Sequence, residues 1–436
     1  MAVFALGIYM IRAQQRARQE RLLAEIESRL DAIRAAGEPV SLADYAKLFP
    51  DPPPEHDASR LLAEVFSRIS IPKPTPQVPF FSDAKSLIGS GPMSEVMKAG
   101  IQRLLETNQS ALSAVREIEI KNAWFKSGFS GGITNLSAPS IRKLTPLVRL
   151  LCLSAIYEAE TGRTHEAVRS IELSFQAGRT LRSDTFVHHF MRRSHETLSC
   201  AALERVCNRT SLDETFLCSI SELLKDEASD GLRGVLLNER CLTIELFGLF
   251  RTTMTQIVKN TSLPLRPVAG YCAGKLFRME DFLLGLHYGG QIINGTRFPF
   301  QQRLSMANDI KAQWNQSKSK SGAFSQMAVS GDWTRMILID ADVIAKLRTA
   351  RTALAIERWR LAHEGRPPES LAQLVPDFLP DVPMDPFDEQ PLRYRKLDRG
   401  HVVYSVGPDF TDDGGLEKPA NATESTAYDI TFTVER

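Results

Sequence analysis

The sequence predicts a mostly α-helical protein: a helical, tetratricopeptide-like body followed by a small C-terminal α+β module, in which a long helix packs on a three-stranded antiparallel sheet. Three observations predict it. Apolar residues recur at steps of three and four through most of the first 360 positions. Period-two alternation is confined to the last 50 or so, in PLRYRKL, HVVYSVG and YDITFTV. A polar stretch at 316–323 (QSKSKSGA) separates the two regimes.

In chain order, residues 1–11 (MAVFALGIYMI) are apolar without a break and are followed by RAQQRARQER. Eleven helical residues span about 16 Å, while a bilayer core needs about 30 Å. The run therefore reads either as the remnant of a membrane anchor or as an apolar helix start that packs on the protein. Leu23, Ile26, Leu30 and Ile33 continue one helix to Gly37 and Pro39, which end it. Ser41 starts a short helix, with Asp44 in a capping-box-like position three residues on. Residues 50–54 (PDPPP) form a stiff spacer, and Pro72, Pro74, Pro76 and Pro79 forbid regular structure up to about Phe81. Helices are expected over 61–69 and 94–119, and a loop over 127–139. From Ile141 to Phe250 nearly everything reads as amphipathic helix. One hairpin is legible there: Ala155 and Ala159 lead to Gly162, and Ala167, Ile171 and Ser174 follow on the return helix. Small residues at such a crossing let two helices approach closely, as in a single tetratricopeptide-type pair. A further helix is expected from 273 to 286, and a loop over 287–299, where Gly289, Gly290 and Gly295 fall. The expected units are 1–36, an anchor remnant and basic helix; 37–140, helices between Pro-rich spacers; 141–315, the helical body; and 334–436, the α+β module.

In that last unit Ile344, Leu347, Leu354 and Leu361 mark the long helix, and Gly365 with Pro367 and Pro368 stops it. Leu371 and Leu374 belong to a short helix, and Asp398, Arg399 and Gly400 turn the first strand into the second. The order ALAIERWRLAHEGRPPESLAQLV, DVPMDPF, RY, YSVGPDFTDDGG, YDI resembles the head of the type II secretion major pseudopilins, over about a fifth of the chain. In that family the last turn and a closing Asp bind calcium. The resemblance therefore implies a calcium site at Ser405, Asp409 and Asp429, to which Asp413, without a family counterpart, adds a nearby carboxylate; such a set suits an ion wanting six to eight oxygens. The chain departs from the family in four places. It lacks the prepilin peptidase site, Pro386-Phe387 stands for Pro-Trp, the turn Gly407-Pro408-Asp409-Phe410 lacks the Gly after Asp, and its head helix carries Asp340, Asp342, Lys346, Arg348 and Arg351. Those charges exclude that helix from a pilus core or a bilayer. Residues 31–54 (DAIRAAGEP through FPDPPP), taken with the rest, also look like a group of envelope proteins of planctomycete-type bacteria.

Lys and Arg total 53 against 52 Asp and Glu, a net charge of +1 that leaves no electrostatic footprint for nucleic acid. The six cysteines (Cys152, Cys200, Cys207, Cys218, Cys241, Cys272) form no C-x-x-C and no zinc spacing, and read as buried small side chains on helices. No G-x-S-x-G elbow or phosphate-binding Gly loop occurs. The one His-rich cluster is His188, His189 and His195 with Glu196 and Cys200. It would bind metal only if its faces converged with a second helix; otherwise it is a partly exposed helix with Arg192 and Arg193 supplying positive charge. The function expected is that of a non-catalytic, membrane-associated envelope protein with protein partners and its body on the periplasmic side. The alternatives are an accessory subunit of a secretion system, and a metal-dependent enzyme with its site near His188–Cys200.

Overall fold

The computed structural model describes residues 2–81, 91–126, 141–225, 231–260, 278–316, 333–419 and 426–435. The long first helix, α1 (Ala2–Ala35), docks through its second half. Ile26 and Leu30 are buried against Phe247, Phe282, Leu283 and Leu286. Gly37 then adopts φ +73°, the left-handed conformation that ends a helix at low cost in glycine. Ser41 caps α2 (Leu42–Leu48) by accepting the Asp44 N–H, and its hydroxyl donates to the Asp44 carboxylate. The Pro-rich spacer follows, and then α3 (Ala58–Leu61) and α4 (Ala63–Arg68).

The helix expected over 94–119 is two: α5 (Glu95–Thr107) and α6 (Gln109–Arg116). Asn108 makes the break. Its side chain, fully buried, donates to the Ser70 and Leu104 carbonyls and accepts from the Ser70 N–H. The expected hairpin is present as α7 (Leu144–Glu160) and α8 (Thr164–Arg179), with Gly162 at φ +74° in its turn. Together with α9 (Phe186–Arg209) they make the centre of the body. α10 (Glu214–Leu223) and α11 (Gly231–Asn260) follow.

The Gly-rich stretch expected to be loop is instead helical. α12 (Met279–Gly295) runs through Gly285, Gly289 and Gly290, and α13 (Phe300–Gln316) follows after a short turn. Each glycine costs a helix about 0.5–1 kcal/mol relative to alanine. Burial of Phe282, Leu283, Leu286, Tyr288, Ile292 and Ile293 along the same helix outweighs that. The loop expected over 127–139 and the polar break lie, but for Gln316, outside the described residues.

The C-terminal module has the expected form. α14 (Trp333–Ala362) lies on a sheet of order β1-β2-β3, all antiparallel, formed by β1 (Arg393–Lys396), β2 (His401–Ser405) and β3 (Ile430–Val434). Tyr394 pairs with Val403, and Val403 with Phe432. The module shares its core with the body. One apolar cluster holds Leu147, Leu151, Ile171 and Leu203 together with Leu347, Leu354, Val403 and Phe432. The outer edge of β3 is also closed from the body. The Thr433 N–H donates to Glu204 Oε1 (2.6 Å), Asn208 Nδ2 donates to the Thr433 carbonyl (2.7 Å), and the Glu435 N–H donates to Asn208 Oδ1 (2.6 Å). Two side chains of α9 thus stand where a neighbouring strand would pair.

Candidate functional site

Two places carry the polar chemistry that the sequence singles out: the first half of α9, and the turn between β2 and β3.

α9 starts at Thr185, whose hydroxyl accepts the His188 N–H. The helix is not partly exposed, as the alternative to metal binding expected; His188, His189, Arg193, His195, Glu196 and Cys200 are all buried. Burial is possible because most of their polar atoms are paired within the protein, His195 Nδ1 being the exception. His188 Nδ1 meets Asp184 Oδ1 at 2.8 Å. His189 Nδ1 meets Ser183 Oγ at 3.0 Å, and its Nε2 lies 3.3 Å from Asp340 Oδ1 on α14. Arg193 donates from Nε to the same Asp340 oxygen (2.7 Å) and from Nη1 to Glu196 Oε2 (2.9 Å). Arg192 Nε donates to Glu196 Oε1 (3.1 Å). Burial opposes ionisation of Asp340, but Arg193 and His189 outweigh it and hold the carboxyl below its ordinary value. Burial likewise opposes ionisation of Glu196, and Arg193 and Arg192 outweigh it.

The residues of this cluster face different ways. His188 turns to Asp184 at the start of its own helix. Glu196 is held between two arginines. His195 Nε2 meets Thr145 Oγ1 on α7 at 2.9 Å, and burial lowers its pKa to about 4, so the imidazole is neutral. Cys200 lies in the main apolar core, where burial and the Glu196 charge push its thiol up, away from the thiolate a metal needs. Among the described residues no three His, Cys, Asp or Glu side chains form a group that could hold a metal ion. The described cysteines are free thiols, and Cys152, Cys200, Cys207 and Cys241 are buried as expected; Cys218 is half-buried, and Cys272 lies outside the described residues.

The order Ser183–His189–Asp340 has the donor sequence of a hydrolytic relay. Two features make it a structural clamp instead. The imidazole is 1% exposed, and the Asp340 oxygen facing it is shared with Arg193. Sequence reasoning missed Asp340 as the centre of this network, reading it only as a charge that keeps the head helix out of a bilayer. A signal was present. Asp340 stands on the buried stripe Met336, Val343, Leu347 of α14, where a lone carboxylate requires a cation from a neighbouring element.

In the C-terminal turn, Ser405 is taken by a different acid. Its hydroxyl donates to Asp385 Oδ1 (2.8 Å), and Asp385 also accepts the Phe387 and Val406 N–H groups and Arg393. Asp385 is fully buried and ties the Met-Asp-Pro-Phe segment to the end of β2. Asp409 is exposed and accepts the Thr411 N–H of its own turn. Asp413 and Asp429 do come together. Asp429 accepts the N–H groups of Asp413 (3.4 Å) and Gly415 (2.6 Å), with Gly414 and Gly415 at φ +71° and +78°. Burial, with Asp413 and Asp412 nearby, raises the Asp429 pKa. The turn is thus folded around a carboxylate by backbone amides, using the donor end of the peptide where a calcium loop would use carbonyls.

No family model, curated protein or solved structure matches the chain.

Proposed function

We propose that the protein is a non-catalytic, membrane-associated envelope protein that acts as an interaction scaffold, with tetratricopeptide-like helix packing in its body and a pseudopilin-like head at its C-terminus. The observation that carries this reading is the division of α1. Its second half is docked on α11 and α12, and Arg18 pairs with Glu280 at 2.7 Å. Toward its first residues, Leu6, Tyr9 and Met10 are 60%, 70% and 54% exposed. Arg16, Arg18 and Arg21 lie exposed on the next two turns. Apolar side chains beside arginines suit an interface between acyl chains and anionic headgroups. No helix among the described residues is long and apolar enough to cross a membrane, so the contact proposed is interfacial. A scaffold role is supported by the polar groups of α9, which serve to lock helices together.

Cell fractionation tests the reading. The full-length chain is expected in the membrane fraction and in an alkaline wash of it, since an interfacial contact with one apolar turn is reversible. Recovery wholly in the soluble fraction would remove the proposal. A reporter fused after residue 436 then reads the side of the membrane, expected to be periplasmic.

A further inference from the structure

The two edges of the C-terminal sheet differ. In an antiparallel ladder, residues alternate between those that turn their N–H and C=O toward one neighbour and those that turn them away. The Leu397 N–H donates across the β1–β2 turn to the Gly400 carbonyl (3.1 Å), which sets the phase. Arg393 and Arg395 therefore bond to β2, while Leu392, Tyr394 and Lys396 face the outer side. In that phase the Leu392 N–H donates outward to the Pro383 carbonyl (2.9 Å). Carried across the register, the same alternation turns Thr433 and Glu435 outward from β3, and those are the residues that Glu204 and Asn208 close. β1 has no such closure. Among the described residues, no backbone hydrogen bond reaches Tyr394 or Lys396 from the outer side.

An open edge is a place for strand addition, and its side chains select the strand. One face of β1 is already tied down: the Tyr394 hydroxyl donates to the Pro368 carbonyl (3.0 Å), and Lys396 pairs with Glu369 (2.6 Å). On the other face Arg395 is exposed, and among the described residues it makes no hydrogen bond or ion pair. An added antiparallel strand would set one residue opposite Arg395 in a non-hydrogen-bonded pair, where side chains approach most closely. A second copy of β1 is a poor choice for that strand. Self-pairing must set outward residues against outward ones, so its two-fold axis falls at Tyr394, Arg395 or Lys396. The first sets Arg393 against Arg395, the second Arg395 against itself, and the third Lys396 against itself. Like charges directly opposite one another are destabilising. The acid of this hairpin, Asp398, lies in the turn beyond the paired residues.

We propose that the outer edge of β1 accepts an extended antiparallel strand of another protein, with a carboxylate side chain opposite Arg395 and the flanking residues hydrogen-bonded to Tyr394 and Lys396. This does not depend on the membrane contact of α1.

The test is fluorescence anisotropy at neutral pH, using the full-length protein and a labelled peptide of alternating Glu and Val (EVEVEVE). The same peptide with Lys for Glu, and one with N-methylated Val, run in parallel. The Glu peptide is expected to bind, and the Lys peptide to bind about tenfold more weakly or worse. N-methylation keeps the charge but removes the N–H groups that would face Tyr394 and Lys396, and is expected to abolish binding. Arg395→Glu is expected to reverse the preference between the Glu and Lys peptides with an unchanged melting temperature, because the side chain is exposed. Equal affinity for the two peptides, binding of the N-methylated peptide as tight as that of its parent, or no binding by the wild-type chain would each overturn the proposal. So would a wild-type dimer that the Glu peptide dissociates, since a second copy would then be the occupant.

Discussion

Asp340 shows how a single residue can join two parts of the chain. It sits on α14, yet its partners, His189 and Arg193, are on α9. Removing one member of a buried ionic group leaves the others uncompensated, which typically costs several kcal/mol. Asp340→Asn is therefore expected to lower stability by about 3 kcal/mol, measured by denaturant unfolding at neutral pH. The pH dependence has a definite sign. Asp340 and Glu196 have folded pKa values below their ordinary 3.8 and 4.5. Their contribution is present above those unfolded values and is lost as pH falls through the lower folded ones. Wild type should thus lose stability more steeply below pH 4 than Asp340→Asn does. Glu204 runs the other way. Burial raises its pKa to about 8, although the Thr433 N–H it accepts favours ionisation. Its contribution is present below the unfolded 4.5 and is lost as pH rises toward 8. Glu204→Gln keeps an acceptor for Thr433 and should raise the melting temperature at pH 8.5 by a few kelvin, with little change at pH 5. An equal gain at both values would contradict the assigned pKa.

At the scale of elements, glycine spacing decides two outcomes that sequence treats alike. Gly178 on α8 and Gly289 on α12 are both helical. A Cβ on Gly178 would fall 2.9 Å from His195 Cβ, because α8 and α9 close tightly there. A Cβ on Gly289 meets nothing. Thermal melts should therefore separate the two: Gly289→Ala is expected to stabilise by about 0.5–1 kcal/mol, and Gly178→Ala to destabilise by about 1–3 kcal/mol. The same contrast explains what could be read from sequence. The α7–α8 hairpin, the stop at Gly37, the cap at Ser41 and all three strands were legible, because turn chemistry and periodicity are local. α12 was expected as helix only up to residue 286; its second half was misread because it is held by distant burial and not by local propensity. The break at Asn108 was invisible for a similar reason, since its partner Ser70 is 38 residues away.

For the whole molecule, the C-terminal module is as much a wall of the body as a head upon it. Leu354, Val403 and Phe432 belong to the core of α7, α8 and α9, and Glu204 and Asn208 close the β3 edge. No sequence pattern announces that, because α9 and β3 are more than 200 residues apart. The candidate site was legible only in part for the same reason. His188, His195, Glu196 and Cys200 were singled out together, but the distant partners of two of them, Thr145 for His195 and the apolar core around Cys200, were not assignable from spacing, whereas Asp184 and Arg193 lie four and three residues from His188 and Glu196. The described cores imply one cooperative unit, so far-ultraviolet and near-ultraviolet circular dichroism should report a single coincident thermal transition. Separate transitions for sheet and helices would contradict that packing.

The proposed role rests on the exposed turns of α1, and vesicle flotation tests it most directly. The full-length chain is expected to float with vesicles containing anionic lipid, and to be released as salt rises. Leu6→Glu/Tyr9→Glu, which leaves the docked half of α1 intact, is expected to remain in the dense fraction with an unchanged melting temperature. Flotation of that variant with the wild-type profile, or failure of the wild type to float, would contradict the account.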